Sequence, residues 1–468
     1  MNTEIHELSA AELSGGFRRH ELSPVDAIES CLVRIGALDA KINAFCFIDA
    51  DYAREAAQES ERRWMENAPL SPLDGVPIAV KDLLLTRGWP TRRGSLTVDA
   101  KGPWTHDAPA VARLREAGAI LIGKTTTPEF GWKGTTDSRL TGITRNPWNP
   151  ERTPGGSSGG SGAALAARFA PLALGTDGGG SIRIPACFCG VFGLKPSFGR
   201  VPAWPLSPFG TLAHVGPMSR TVRDSALLLN VIAGADARDW HAMPPDTRDH
   251  ASGLDCGIRG KRIAFSPRLG HVRRISPEIE TAVKSAARLL AQLGAIVEET
   301  DPPGGDMALV FRTLWWAGAA FLLRDMPAEK REQLDPGLRD VADSGAAIPL
   351  AEYLSAAAAR GAYGSTLRQF MEKYDFILTP SVATAAFETG RLAPIDEDGN
   401  AWIGWTAFSF PFNLTQQPAA SVPCGFASDG LPIGLQIVGR MFDDAGVLAV
   451  SAAYEAANPL YRRMPSGC

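Results

Sequence analysis

Gly155-Gly156-Ser157-Ser158-Gly159-Gly160-Ser161 and Gly175-Thr176-Asp177-Gly178-Gly179-Gly180-Ser181-Ile182-Arg183 are the two stretches from which this chain is best read. Glycine at this density is useful where backbone amides must converge on a small negative group, because side chains would block the approach. Ser181 follows three glycines, so nearby amides form a candidate oxyanion hole for a serine nucleophile. Upstream, Gly75-Val76-Pro77-Ile78-Ala79-Val80-Lys81-Asp82 places a lysine at the end of an apolar strand. Desolvation pushes such a lysine towards neutrality, where it can act as a base. Taken singly, the three pieces read as a turn, a helix start and a snorkelling lysine.

Two other matches lack the context their chemistry needs. Gly118-Ala119-Ile120-Leu121-Ile122-Gly123-Lys124-Thr125 has the letters of a phosphate loop. Here a helix precedes it and its middle is strand-like, the reverse of the required order. Gly155 to Gly159 spells the nucleophile elbow G-x-S-x-G, which sits at the end of a strand. The approach from Asn146 to Pro154 holds three prolines, and the last histidine of the chain is His271. His214, His241, His250 and His271 have no motif around them, so a Ser-His-Asp hydrolase is the secondary mechanism.

Further out, residues 119–122 and 295–297 are strands that follow helices ended by Gly118 and Gly294. The second helix starts at Ser276-Pro277 and carries Ile279, Val283, Ala286, Leu290 and Leu293 on one face. Strands are also expected at 76–80, 172–175, 263–265, 376–379, 420–422 and 433–438, the last two as a hairpin. Helices alternating with short apolar runs predict a largely parallel or mixed sheet. The first seventy residues read helical, 234–260 reads as a long surface connection, and 324–346 reads as charged and solvated.

The 468 residues, 45% hydrophobic and 21% charged, describe an ordinary globular chain with ample core. The net charge of −4 supplies no field for a phosphate backbone, so no nucleic-acid partner is expected. No run of eighteen apolar residues suggests a membrane span, and Glu4, Glu7 and Glu12 leave no signal-peptide pattern. A cytoplasmic protein is expected. Of seven scattered cysteines only Cys187 and Cys189 lie close together, which is not zinc spacing, so neither metal nor cofactor is expected.

With these motifs in place, the sequence resembles the amidase signature family, from about residue 8 to about 458. The likeness is densest over 72–97 and 145–197, where Gly193-Leu194-Lys195-Pro196-Ser197 also fits. Asn413-Leu414-Thr415 and Ser421-Val422-Pro423-Cys424-Gly425 fit its C-terminal pattern. The resemblance implies one α/β domain over 1–468, with a central mixed β-sheet flanked by helices. Within it, 70–200 is the expected catalytic core and about 234–375 a more helical, substrate-side lobe. It also implies a Ser–cis-Ser–Lys triad: Ser181 as nucleophile, Ser157 as bridging serine after a cis peptide at Gly156, and Lys81 as base. Ser158 competes for the bridging role. The amides of Gly178, Gly179, Gly180 and Ser181 would form the oxyanion hole. Asp177 and Arg183 would pair to shape that loop.

The expected reaction is cleavage of a small amide, with carbamates, anilides and esters as relatives. Within the same resemblance, the alternative is the glutamine-hydrolysing component of a tRNA-dependent amidotransferase. Glutamine needs an acid for its amino group, yet Trp402 to Phe408 carries no charge. The Arg-rich pattern of that component near 330–350 is not evident either. A neutral, apolar or aromatic substrate is therefore expected. Trp315, Trp316, Trp402, Trp405 and Phe408 are candidate pocket walls, and the resemblance adds Gly131 and Trp132. A free-standing enzyme is expected, and dimers are common in families of this kind.

Overall fold

The residues before Lys81 form a strand whose side chains alternate between two cores. Ile78 and Val80 face one apolar cluster, and Ala79 faces another. The computed structural model, which describes residues 4–394 and 403–466, builds a large sheet around this strand. Its strands in chain order are β1 (Phe45–Ile48), β2 (Pro77–Lys81), β3 (Ile120–Thr125), β4 (Asp137–Ser138), β5 (Gly142–Ile143), β6 (Leu172–Asp177) and β7 (Phe192–Lys195). They continue with β8 (His214–Ser219), β9 (Arg262–Phe265), β10 (Ile296–Glu299), β11 (Phe376–Pro380), β12 (Ala419–Phe426) and β13 (Pro432–Gly439). Strands β4 and β5 form a separate ribbon, and the other eleven make one sheet ordered β1-β3-β2-β6-β8-β7-β12-β13-β11-β9-β10.

Pairing is parallel for β2 with β3 and β6, and for β9 with β10 and β11. The sheet between and beyond them is antiparallel, including the β12–β13 hairpin. The chain is thus a single α/β domain with a mixed sheet flanked by helices. Helix Pro277–Gln292 shows the packing rule: Ile279, Val283, Ala286 and Leu290 recur every three or four residues and all are buried. Full burial of each of the larger of these is worth ~1.5–3 kcal/mol. Pro277 opens that helix, and Gly294 (φ +99°) lies just beyond its end, where an L side chain would be strained.

Three strands of the large sheet escape sequence reading: β1, β7 and β8. Strand β8 carries Gly216 and Pro217, residues that argue against an interior strand. It holds its place because β7 pairs with it only at Met218 and Ser219, so Pro217 faces a ladder on the β6 side alone. The solvated reading of 324–346 is corrected as well. This segment forms helices Ala328–Arg331 and Pro336–Ala346, and Leu334, Leu338 and Ala342 join the core around Trp132 and Trp315. Their four-residue spacing is diluted in sequence by the charges between them. Residues 234–260 contain no helix or strand, but Asp239, His250, Leu254 and Ile258 anchor them inward.

Candidate active site

Lys81 ends β2 on the face it shares with Ala79, where helix Gly159–Ala166 packs. Its Nζ lies 2.8 Å from Ser157 Oγ, 2.8 Å from Ser158 Oγ and 2.9 Å from Thr176 Oγ1. The lysine is fully buried, and that burial holds its pKa well below the ordinary lysine value, while the charge of Asp177 pulls the other way. Three close hydroxyl oxygens can serve an ammonium with three N–H donors, or a neutral amine with two donors and one lone pair.

Geometry separates the two serines. Ser158 Oγ receives the Thr176 N–H and donates to the Thr176 carbonyl, both at 3.2 Å, so its one proton is committed to β6. Ser157 Oγ instead opens on a cavity that it shares with Ser181. The Gly156–Ser157 peptide is cis. Ser181 sits between the end of β6 and helix Arg183–Cys189, and its carbonyl accepts the Ser158 N–H at 3.1 Å, tying the two glycine-rich stretches together.

The glycines are there because space requires them. A Cβ on Gly178 would lie 2.8 Å from the Trp315 ring, and one on Gly179 would lie 2.7 Å from Phe311. Of the four amides expected to form an oxyanion hole, that of Gly180 is not free, because its N–H donates to Asp177 Oδ1 at 2.7 Å. Among the described residues the amides of Gly178, Gly179 and Ser181 have no partner. Gly131 (φ +73°) packs beside Ser157, where a Cβ would lie 3.2 Å from Ser157 Oγ.

Beneath the loop lies a buried charge network. Arg183 forks onto Asp177 and also donates to Gln436 Oε1 at 2.7 Å, the Ser409 carbonyl at 2.8 Å and Asn413 Oδ1 at 2.6 Å. Burial opposes ionisation of Asp177, but the charge and hydrogen bonds of Arg183, with Lys195 and Asn413, overcome it and hold the carboxyl well below the usual range. His214 lines the cavity too. Its Nδ1 lies 2.9 Å from the Leu212 carbonyl, and its Nε2 lies 3.4 Å from Lys195 Nζ. Burial and then Lys195 depress its pKa well below the histidine value, and with both nitrogens engaged it is not placed as a base for Ser181.

The cavity measures about 150 Å³, room for a benzene-sized group. Gly131, Ser157, Gly178, Ser181 and Trp315 line it, whereas Trp132, Trp316 and Trp405 do not. Trp315 stacks on Phe209 with ring centroids 3.8 Å apart, and its Nε1 donates to the Trp132 carbonyl at 3.2 Å. Trp132 thus supports the wall through its backbone and packs its own ring into the core. Trp316 is half-buried against the same core as Trp315, with the Arg312 guanidinium over its ring, and Trp405 stacks on Phe188 in a separate cluster. Phe408 is core, and Trp402 lies outside the described residues. Sequence reasoning passed over Thr176 although it stands inside the quoted motif. It also passed over Arg93, a further cavity residue with no local signature.

A family model described as Amidase matches residues 26–448. The chain belongs to the amidase family. It is therefore an enzyme of the amide C–N hydrolase class. It is 37% identical to the A component of a glutamyl-tRNA(Gln) amidotransferase from Chloroflexus aurantiacus, over 99% of each chain. It is 36% identical to an acylamidase of Rhodococcus erythropolis, over 99% of this chain and 98% of the relative. Among solved structures, a bacterial aryl acylamidase of the amidase signature family superposes with a TM-score of 0.92 at 33% identity, over the whole of both chains. The amidase family thus accounts for the whole length of the fold. Among the described residues no helix is long and apolar enough to cross a membrane.

Proposed function

We propose that this protein hydrolyses amides with an apolar or aromatic body through an acyl-enzyme on Ser181, with Ser157 and Lys81 as the proton relay. Neutral Lys81 accepts the Ser157 proton as Ser157 accepts that of Ser181, and Ser181 Oγ attacks the amide carbonyl. The amides of Gly178, Gly179 and Ser181 receive the oxyanion, each donor of this kind being worth ~3–4 kcal/mol. The proton returns through Ser157 to the leaving nitrogen, and water releases the acid by the same route. The observation that carries the relay is the 2.8 Å approach of a fully buried Lys81 Nζ to Ser157 Oγ.

Similarity to the amidotransferase component supports a second reading, glutamine hydrolysis within a larger assembly. Against it stands the cavity wall, which among the described residues carries no Asp or Glu to hold an α-amino group. Purified protein and Ser181→Ala assayed on anilides, primary amides, carbamates, esters and glutamine separate the two. Turnover of anilides or apolar amides that disappears in the variant supports the first reading. Turnover confined to glutamine would replace it with the second.

A further inference from the structure

The cavity that holds Ser181 also holds a charge that the hydrolytic chemistry does not use. Arg93 lines its wall, and among the described residues its side chain has no hydrogen bond or ion pair. The lining residues include no Asp or Glu, and His214 is held neutral by burial. Among the described residues the acid whose charge acts on Arg93 is Asp82, next to Lys81, and it is already engaged. The backbone amides of Arg92, Arg93 and Gly94 turn onto it, and Lys124 Nζ stands 3.9 Å away.

The position of Arg93 is enforced from both sides. Arg93 (φ +56°) and Gly94 (φ +65°) are consecutive left-handed residues, and a Cβ on Gly94 would collide with the Thr127 carbonyl. The Arg93 carbonyl accepts the Phe130 N–H at 2.8 Å, which joins this turn to the left-handed Phe130-Gly131 pair beside Ser157. A half-buried guanidinium that feels the Asp82 charge but has no hydrogen-bonded counter-ion among the described residues is a ready site for a planar anion, which it can bind through two parallel hydrogen bonds.

We infer that Arg93 receives a carboxylate carried by the amide substrate, so that the preferred substrate is a monoanion with an apolar body rather than a wholly neutral amide. The inference rests on the hydrolase reading above and narrows its substrate class.

The test compares matched pairs on wild type, Arg93→Met and Arg93→Lys. Glutaric acid mono-para-nitroanilide against hexanoyl para-nitroanilide places the charge on the acyl side. N-butyryl-para-aminobenzoate against N-butyryl-para-toluidine places it on the amine side. The readout is the ratio of kcat/KM within each pair, which does not depend on how much of a variant folds. In at least one pair the wild type is expected to favour the carboxylate by about tenfold or more, the ratio to fall towards one in Arg93→Met, and part of it to survive in Arg93→Lys. Ratios near one in both pairs for wild type, or unchanged in Arg93→Met, overturn the inference while leaving the hydrolase reading intact. If wild type cleaves neither pair, the hydrolase reading is what has failed. Calorimetric binding of 4-phenylbutyrate and 4-phenylbutan-1-ol then decides the role of Arg93. Preference for the acid that is lost in Arg93→Met supports it, and equal binding overturns it.

Discussion

Arg183 meets Asp177 as a two-pronged fork, Nε to Oδ2 and Nη2 to Oδ1, both at 2.9 Å and with neither side chain exposed. The same carboxylate receives the N–H groups of Gly180 and Ile182, on either side of Ser181. Removing one partner strands a buried charge, at a cost of ~3–5 kcal/mol. Arg183→Met and Asp177→Asn are each expected to lower the unfolding free energy measured in urea by that order, and to lower kcat. Arg183→Lys is expected to rescue little, because a point charge cannot fork. Wild-type stability in either single variant would show that the pair does not organise the loop.

In the proposed relay Lys81 acts as a base only when neutral, and its burial lowers its pKa. The active form is therefore reached as pH rises, and it is reached below the ordinary lysine value of ~10.4. kcat/KM is expected to climb with pH to a plateau or optimum on the alkaline side of neutrality. Lys81→Ala and Ser157→Ala are expected to lose ~10²–10⁴-fold in rate. A pH profile peaking below pH 6, or full activity in Lys81→Ala, would count against the relay.

Gly178 and Gly179 face Trp315 and Phe311 with no room for a methyl group. Gly178→Ala is expected to push the loop off the oxyanion and to cost ~10²–10³-fold in kcat. Trimming the obstacle in Gly178→Ala/Trp315→Ala should restore part of kcat while raising KM, since Trp315 walls the cavity. If the double variant is no better than the single one, the steric account is wrong.

Glu455 supplies a pH signature of stability away from the site. Its two oxygens accept the Val222 N–H at 3.2 and 3.0 Å, and burial pushes its carboxyl up to about 8, with Asp224 adding to the shift. A carboxyl whose pKa is raised on folding favours the native state at low pH and loses that contribution as pH rises from the unfolded value of ~4.3 through about 8. Glu455→Gln, which keeps an acceptor without the charge, should gain on wild type in urea midpoint between pH 5 and pH 8.5. A gap that stays constant across that range would mean the carboxyl is not shifted.

Much of this was legible in one dimension. Glycine spacing around Ser157 and Ser181, the apolar run ending in Lys81 and the helix–Gly–strand units all express rules that act between near neighbours in the chain. They determined the α/β class, a sheet read as largely parallel or mixed, the motifs and the rejection of a phosphate loop at Lys124, which the structure places inside β3. Strand β8 was hidden because Gly216 and Pro217 are judged by local propensity, whereas a neighbouring ladder confined to Met218 and Ser219 makes them tolerable.

Tertiary structure alone decided which of two adjacent serines opens on the cavity, which of four amides Asp177 had already taken, and which of the tryptophans faces the chemistry. It alone also set Arg93 in the wall of the cavity on which Ser157 opens, from a turn that the sequence does not mark. The physical reason is common to all of these. A hydroxyl, an amide or a guanidinium is defined by what lies within about 3 Å of it, and here those neighbours come from strands and helices far apart in the chain.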